Sequence, residues 1–107
     1  MRYPPHNGPA SGAQSLVGYD IDLSAEDGTA RVTLEVQAQH LNRNQTLHGG
    51  IHAMMLDAAA GFAASRRLAG ESVNLVPVVT LSLNTSFLAP AGLGPVVVRG
   101  WATGGRL

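Results

Sequence analysis

Between His40 and Gly70 the sequence reads HLNRNQTLHGGIHAMMLDAAAGFAASRRLAG: histidines and a glycine pair directly before a long apolar run that contains one carboxylate, Asp57. Only seven residues of the chain are acidic, so a carboxylate placed where burial is expected calls for a reason. Residues three or four apart share a helix face, which stands Asp57 over Met54, Gly50 and Gly61 in apolar surroundings stripped of bulk by the glycines. A desolvated carboxylate beside a cleft is a functional candidate. The plainer reading is a structural carboxylate bonded to a nearby hydroxyl or amide.

Leu47-His48-Gly49-Gly50 adds a second chemical feature. A helix beginning there exposes unpaired N–H groups at its positive dipole end, and glycine lets a carbonyl or phosphate come close to the main chain. In acyl transfer the developing oxyanion would lie against the Gly49 or Gly50 amide, a donor typically worth about 2.7–4 kcal/mol of barrier. The alternative is that the glycine pair only turns the chain into the helix.

Other chemistries find less support. His48 and His52 have the i, i+4 spacing of a metal pair, but Gly49 stands where a zincin-like site needs Glu, and no cysteine or second acid is near, so no metal is expected. His48 is better suited to orienting the loop by hydrogen bonding, whereas His40 and His52 should pack or face solvent. Ser65 lacks the glycines of a nucleophile elbow, and Gly92-Leu93-Gly94 lacks the spacing and following helix of a nucleotide loop. Met54 and Met55 read as core filler, with one of them able to line an acyl channel.

These groups must be held by a small set of elements. Leu16–Leu23 alternates Val17, Tyr19, Ile21 and Leu23 against polar or small residues, as a half-buried strand does, and Ala30–Gln37 repeats the pattern with Val32, Leu34 and Val36. Asp27-Gly28 suits the tight reversal between them, giving an antiparallel hairpin. From Gly50 to about Leu68 a helix is apolar nearly all round, as an enclosed helix is. Arg66 and Arg67 complement its dipole, and Gly70 can cap it. Val78–Leu88 returns to alternation, and a last strand follows from Pro95. The class is α+β, with an antiparallel sheet packed on one long helix.

Composition narrows the partners. At 107 residues the chain is one domain with a modest core. It is 13% charged and 45% hydrophobic, against a typical charged share of about 25%, which favours oligomerisation. Seven arginines and no lysine balance seven acids, so no basic stripe invites nucleic acid. The absence of cysteine fits a reducing compartment, with cytoplasm the default. No run has the roughly 20 apolar residues of a membrane span, and residues 1–14, rich in proline and glycine, read as a flexible leader to a domain at 15–107.

Asn42-Arg43-Asn44-Gln45-Thr46-Leu47-His48-Gly49-Gly50, continuing to Asp57, resembles the signature of the hotdog-fold acyl-CoA thioesterases, in particular the group typified by the phenylacetate-pathway thioesterase. The motif is an Asn, a His-Gly-Gly six residues on, and an Asp nine residues beyond that His. The resemblance runs from about Leu16 to Leu107, and Val78–Gly94 is similar to the family's next strand and its proline-containing bend. It implies a hotdog fold and hydrolysis of small, medium or aromatic acyl-CoA without a cofactor. Asp57 would act as nucleophile or as general base, and the Gly49 amide would polarise the thioester carbonyl. Asn42 would hold water or the carbonyl, His48 would fix the loop, Thr80 would orient the attacking water, and Gly50 and Met54 would contact substrate. It further implies a homodimer or homotetramer with active sites between subunits. The family's sheet has two further strands, lying between the Val78–Leu88 and Pro95–Thr103 strands. The resemblance thus implies a gap there, from a fragmentary chain or a rearranged or swapped sheet. Two other readings stand beside hydrolysis: a non-catalytic acyl-CoA-binding or scaffold module, and, last, a hydratase or dehydratase, for which no second proton-transfer partner is evident.

Overall fold

A computed structural model describes residues 10–72 and 74–104. The alternating residues of the first half form the expected antiparallel hairpin, β1 (Asp20–Asp22) and β2 (Ala30–Val36), with Ile21 opposite Val32. Ala30, Val32, Leu34 and Val36 all point inward and are buried, as period 2 requires. Gly28 takes φ 87° in the reversal, and the Asp27 carboxylate accepts from the Thr29 N–H at 2.8 Å. The third strand, β3 (Gly94–Gly100), lies antiparallel on the other side of β2, so the sheet order is β1-β2-β3.

The long helix, α2 (Gly49–Ala69), is present as expected, and Gly70 closes it by donating its N–H to the Arg66 and Arg67 carbonyls. Its burial differs from the expectation of enclosure all round. Met55, Ala59, Ala63 and Ser65 are buried, while most of the other helix residues are half-buried and Ala60 is exposed. The buried stripe rests on β2 and β3. Small residues there bring the two layers close: a Cβ built at Gly100 would lie 2.5 Å from the Ala59 carbonyl oxygen. Arg66 ties the far end of the helix to the hairpin by donating to the Leu23 carbonyl at 2.6 Å.

Two strand boundaries depart from the sequence pattern. Leu16 and Val17 belong to a short helix, α1 (Gly12–Val17), instead of opening the first strand. Ser11 caps it by accepting from the Gln14 N–H at 3.1 Å, and Gly18 at φ 93° ends it. The boundary expected after residue 14 therefore falls inside a helix, and residues 1–9 of the expected leader lie outside the described residues. The second departure is larger. Val78–Leu88 joins no ladder among the described residues. A strand is defined by its partner, and this stretch is fastened to α2 by side chains instead. Its apolar residues are correspondingly bare, with Val79 84%, Leu81 96% and Leu88 95% exposed.

His40 packs inside, at the end of a 3₁₀ turn (Ala38–His40). Its Nδ1 accepts from the Gln37 N–H at 3.0 Å, and its Nε2 lies 2.8 Å from the Val17 carbonyl, to which it donates. That pair of bonds requires the neutral ring with its hydrogen on Nε2, and it fastens α1 to the turn before α2.

The close contact at Gly100 makes a direct test. Gly100→Ala should destabilise the fold by about 1–3 kcal/mol through overpacking, read as a lower midpoint in urea denaturation. An unchanged midpoint would show that the layers are not held at this distance.

Candidate active site

The turn that delivers the chain to α2 is built by Asn42. Its Oδ1 accepts from the Asn44 N–H at 2.8 Å and the Thr46 N–H at 3.1 Å, while its Nδ2 donates to the Thr46 hydroxyl at 3.0 Å. Both ends of the amide are thus occupied within the turn. The next residues are anchored by the main chain: Leu47 donates to the Ala91 carbonyl at 2.7 Å and His48 to the His40 carbonyl at 2.9 Å.

His48 is the N-cap of α2, and its Nδ1 accepts from the Gly50 N–H at 2.9 Å. This bond explains Gly50, because a Cβ there would meet the His48 ring at 3.1–3.2 Å. Gly49 differs. It is exposed, and among the described residues its N–H makes no hydrogen bond. One unpaired donor therefore sits at the positive end of a 21-residue helix, the arrangement that favours an anion or an oxyanion. Phe87 stands above it, with its Cζ 4.0 Å from a Cβ built at Gly49, and its ring tilts against His52 at a centroid separation of 5.4 Å.

Farther along α2, Asp57 lies half-buried at a cavity of about 590 Å³, more open than the full burial the apolar run suggested. Thr80 donates its hydroxyl to Asp57 Oδ1 at 2.5 Å. The Ser65 hydroxyl donates to the Val76 carbonyl, so this segment is held to the helix on both sides of Val78. Met54, Ala58, Phe62 and Leu75 give the cavity its apolar walls, and Tyr19 adds a phenol. Burial pushes that phenol above its ordinary 10.0; the Ser11 hydroxyl works against the shift and the Asp57 charge adds to it. Tyr19 consequently remains an O–H donor at neutral pH.

Asp57, Thr80 and Met54 are thus brought together around one cavity, and His48, Gly49 and Gly50 around the helix N-terminus. The two groups do not meet in one chain. Just over two helical turns separate Gly49 from Asp57, about 12 Å along the axis, farther than the width of one carbonyl group. The His48 Nδ1 is engaged with the Gly50 N–H. Among the described residues no three His, Asp or Glu side chains gather around a common point. Tyr19 and Phe87 were visible in the sequence only as apolar members of alternating stretches. Nothing local marked them as neighbours of Asp57 and Gly49, because each reaches its position through tertiary packing.

No curated protein matches the chain. A family model described as the thioesterase superfamily matches residues 44–105, the part that holds His48-Gly49-Gly50, Asp57 and Thr80. Among solved structures the chain is similar to TT0310 protein from Thermus thermophilus, at 32% identity over 85% of this chain and 71% of that one, with a TM-score of 0.67. It is also similar to conserved protein PA5202 from Pseudomonas aeruginosa, at 28% identity, 84% and 68% coverage, and a TM-score of 0.69. The E. coli PaaI protein from the phenylacetic acid degradation operon matches at 28% identity and a TM-score of 0.67, over 83% of this chain and 59% of that one. The chain spans a little over half to about two thirds of the length of the latter two. The antiparallel sheet laid on one long central helix is the hotdog fold, and the chain belongs to the thioesterase superfamily.

Proposed function

We propose that the chain hydrolyses acyl-CoA thioesters to the free acid and CoA, at sites each shared by two copies of the chain. The observation that carries this reading is the pairing of an Asp57 carboxylate, held by Thr80 at the rim of an apolar cavity, with an unbonded Gly49 amide that the same helix keeps out of its reach. A second copy placed antiparallel alongside would supply the amide that the first cannot.

The chemistry balances with these groups alone. Thr80 occupies Oδ1, leaving Oδ2 to take a proton from water as the hydroxide adds to the thioester carbon. The carbonyl oxygen becomes an oxyanion and accepts from the partner's free main-chain N–H at the helix N-terminus. Collapse of the tetrahedral intermediate breaks the C–S bond, and the leaving CoA thiolate recovers the proton from the Asp57 acid. His48 serves this step at one remove, because its bond to Gly50 fixes the first turn and leaves Gly49 as the open donor. Asn42 shapes the preceding turn, and Met54 lines the acyl side. The similar E. coli PaaI protein comes from the phenylacetic acid degradation operon, which makes aromatic acyl-CoAs substrates to test beside straight-chain ones.

Two variants test the assignment. Asp57→Asn should lower thiol release from every hydrolysed acyl-CoA by at least about 10²-fold, with acyl-CoA binding retained in a thermal-shift assay; unaltered turnover would remove Asp57 from the mechanism. Release absent from the wild type, with binding present, would favour the non-catalytic module. Gly49→Pro deletes the oxyanion donor at the first helical position, where proline is well tolerated. The preceding His48 already has φ −59° and ψ 129°, a conformation compatible with a following proline. Its rate should fall by about 10²–10³-fold with the fold intact. Co-expression of the two variants should restore roughly a quarter of wild-type activity, from random pairing into two-fold dimers. No restoration would mean that both groups act within one chain.

A further inference from the structure

Gly61 lies one helical turn beyond Asp57 on the same face of α2 and lines the same cavity. Glycine inside a helix weakens it relative to alanine, so its presence there calls for a cause. Packing supplies one elsewhere: Gly100 yields to the Ala59 carbonyl and Gly50 to the His48 ring. At Gly61 neither packing nor backbone conformation does so. Its φ is not positive, and an added Cβ would meet only the Val78 Cγ2, at 3.9 Å, an ordinary contact. The fold would accept alanine, and the helix would gain from it. What a methyl group would remove is cavity space between α2 and the Leu75–Val78 wall.

We propose that Gly61 is a specificity-determining residue, keeping open the room that receives the acyl group beyond its thioester carbonyl. The inference rests on the reading of Asp57 as the thioesterase carboxylate, and it adds a direction and a size class. The acyl group runs from Asp57 toward the C-terminal end of α2, between Met54, Ala58 and Phe62 on the helix and Leu75–Val78 opposite. Beyond Asp57 and Thr80 the lining is apolar apart from the main chain, the Tyr19 phenol and the Ser65 hydroxyl, which is engaged with the Val76 carbonyl. Gly61 comes into contact only with acyl groups that extend about 6 Å past Asp57, the rise of one turn. Medium-chain and aromatic groups reach it, and acetyl does not.

The test compares wild type, Gly61→Ala and Gly61→Val in thermal denaturation, and in hydrolysis and calorimetric binding of acetyl-, octanoyl- and phenylacetyl-CoA. Gly61→Ala should raise Tm by about 2–8 °C. It should lower the octanoyl-to-acetyl ratio of kcat/KM by about 10- to 200-fold, and Gly61→Val should lower it further. A lowered Tm for Gly61→Ala, or an unchanged ratio in an active enzyme, overturns the inference and leaves the hydrolase reading standing. Weaker octanoyl-CoA binding by Gly61→Ala, in a protein whose wild type releases no thiol, supports the inference while removing the hydrolase reading. Failure of the wild type both to bind and to cleave any of the three overturns both.

Discussion

The close seating of α2 on the sheet is the constraint from which the rest of the structure follows. Ala59 and Ala63 on the helix meet a strand that carries glycine at position 100, and with no side chain at that crossing the backbones nearly touch. One stripe of the helix is thereby committed to β2 and β3. Its rotation is then fixed, and a different face, with Met54, Asp57 and Gly61, is turned to the segment at Leu75–Thr80. A carboxylate beside a cavity is a consequence of that rotation: turning the helix by one residue would carry Asp57 about 100° around its axis. The same seating directs the free N–H groups of the first turn outward, where the Asn42 turn and the His48 cap decide which one stays open.

Much of this was legible in the sequence, where local periodicity and global packing agree. Ile21, Val32, Leu34 and Val36 marked the inner face of the hairpin, and the run from Gly50 to about Leu68 marked, to within a residue at each end, the helix with its glycine stop. The His-Gly-Gly and Asp spacing could be read because a helix converts spacing into distance. Legibility ended where contacts are made between distant segments. Val17 continues the alternation of Tyr19 and Ile21, yet the Ser11 cap and Gly18 draw it into α1 together with Leu16. A period-2 pattern cannot by itself detect a capping hydroxyl upstream.

Val78–Leu88 shows the other limit. Its alternation of Val79, Leu81, Leu83 and Phe87 is broken only at Thr85, and the sequence cannot distinguish a strand from a stretch that has the composition of one but no ladder partner among the described residues. What holds it to α2 is a pair of hydroxyls near its start, Ser65 on the Val76 carbonyl and Thr80 on Asp57, and the Phe87 ring tilted against His52 farther on. Ser65 could be dismissed as a nucleophile from its neighbours, but its role as a clamp required knowing that residue 76 comes back across the helix. The segment is therefore bound at its start, where it closes the cavity, and bare farther on at Leu81 and Leu88. Exposed apolar side chains of that kind have the composition of an interface.

The two chemical ends of α2 call for opposite surroundings. A helix N-terminus stabilises negative charge, so an N–H left without a partner at Gly49 suits an oxygen that becomes anionic during reaction. A resident carboxylate on the same donor would satisfy it beforehand and block that use. Asp57, two turns away, is too distant to do so and is occupied by Thr80 instead. Separation along one helix therefore keeps the Gly49 N–H and the Asp57 carboxylate from satisfying each other, and on the proposed reading antiparallel pairing of two such helices would bring each N–H to the other's carboxylate. A two-fold axis between the helices would create two equivalent sites at once. The bare apolar stretch beyond Thr80 would then be covered by the same association that completes the chemistry, so that burial and catalysis would draw on one interface.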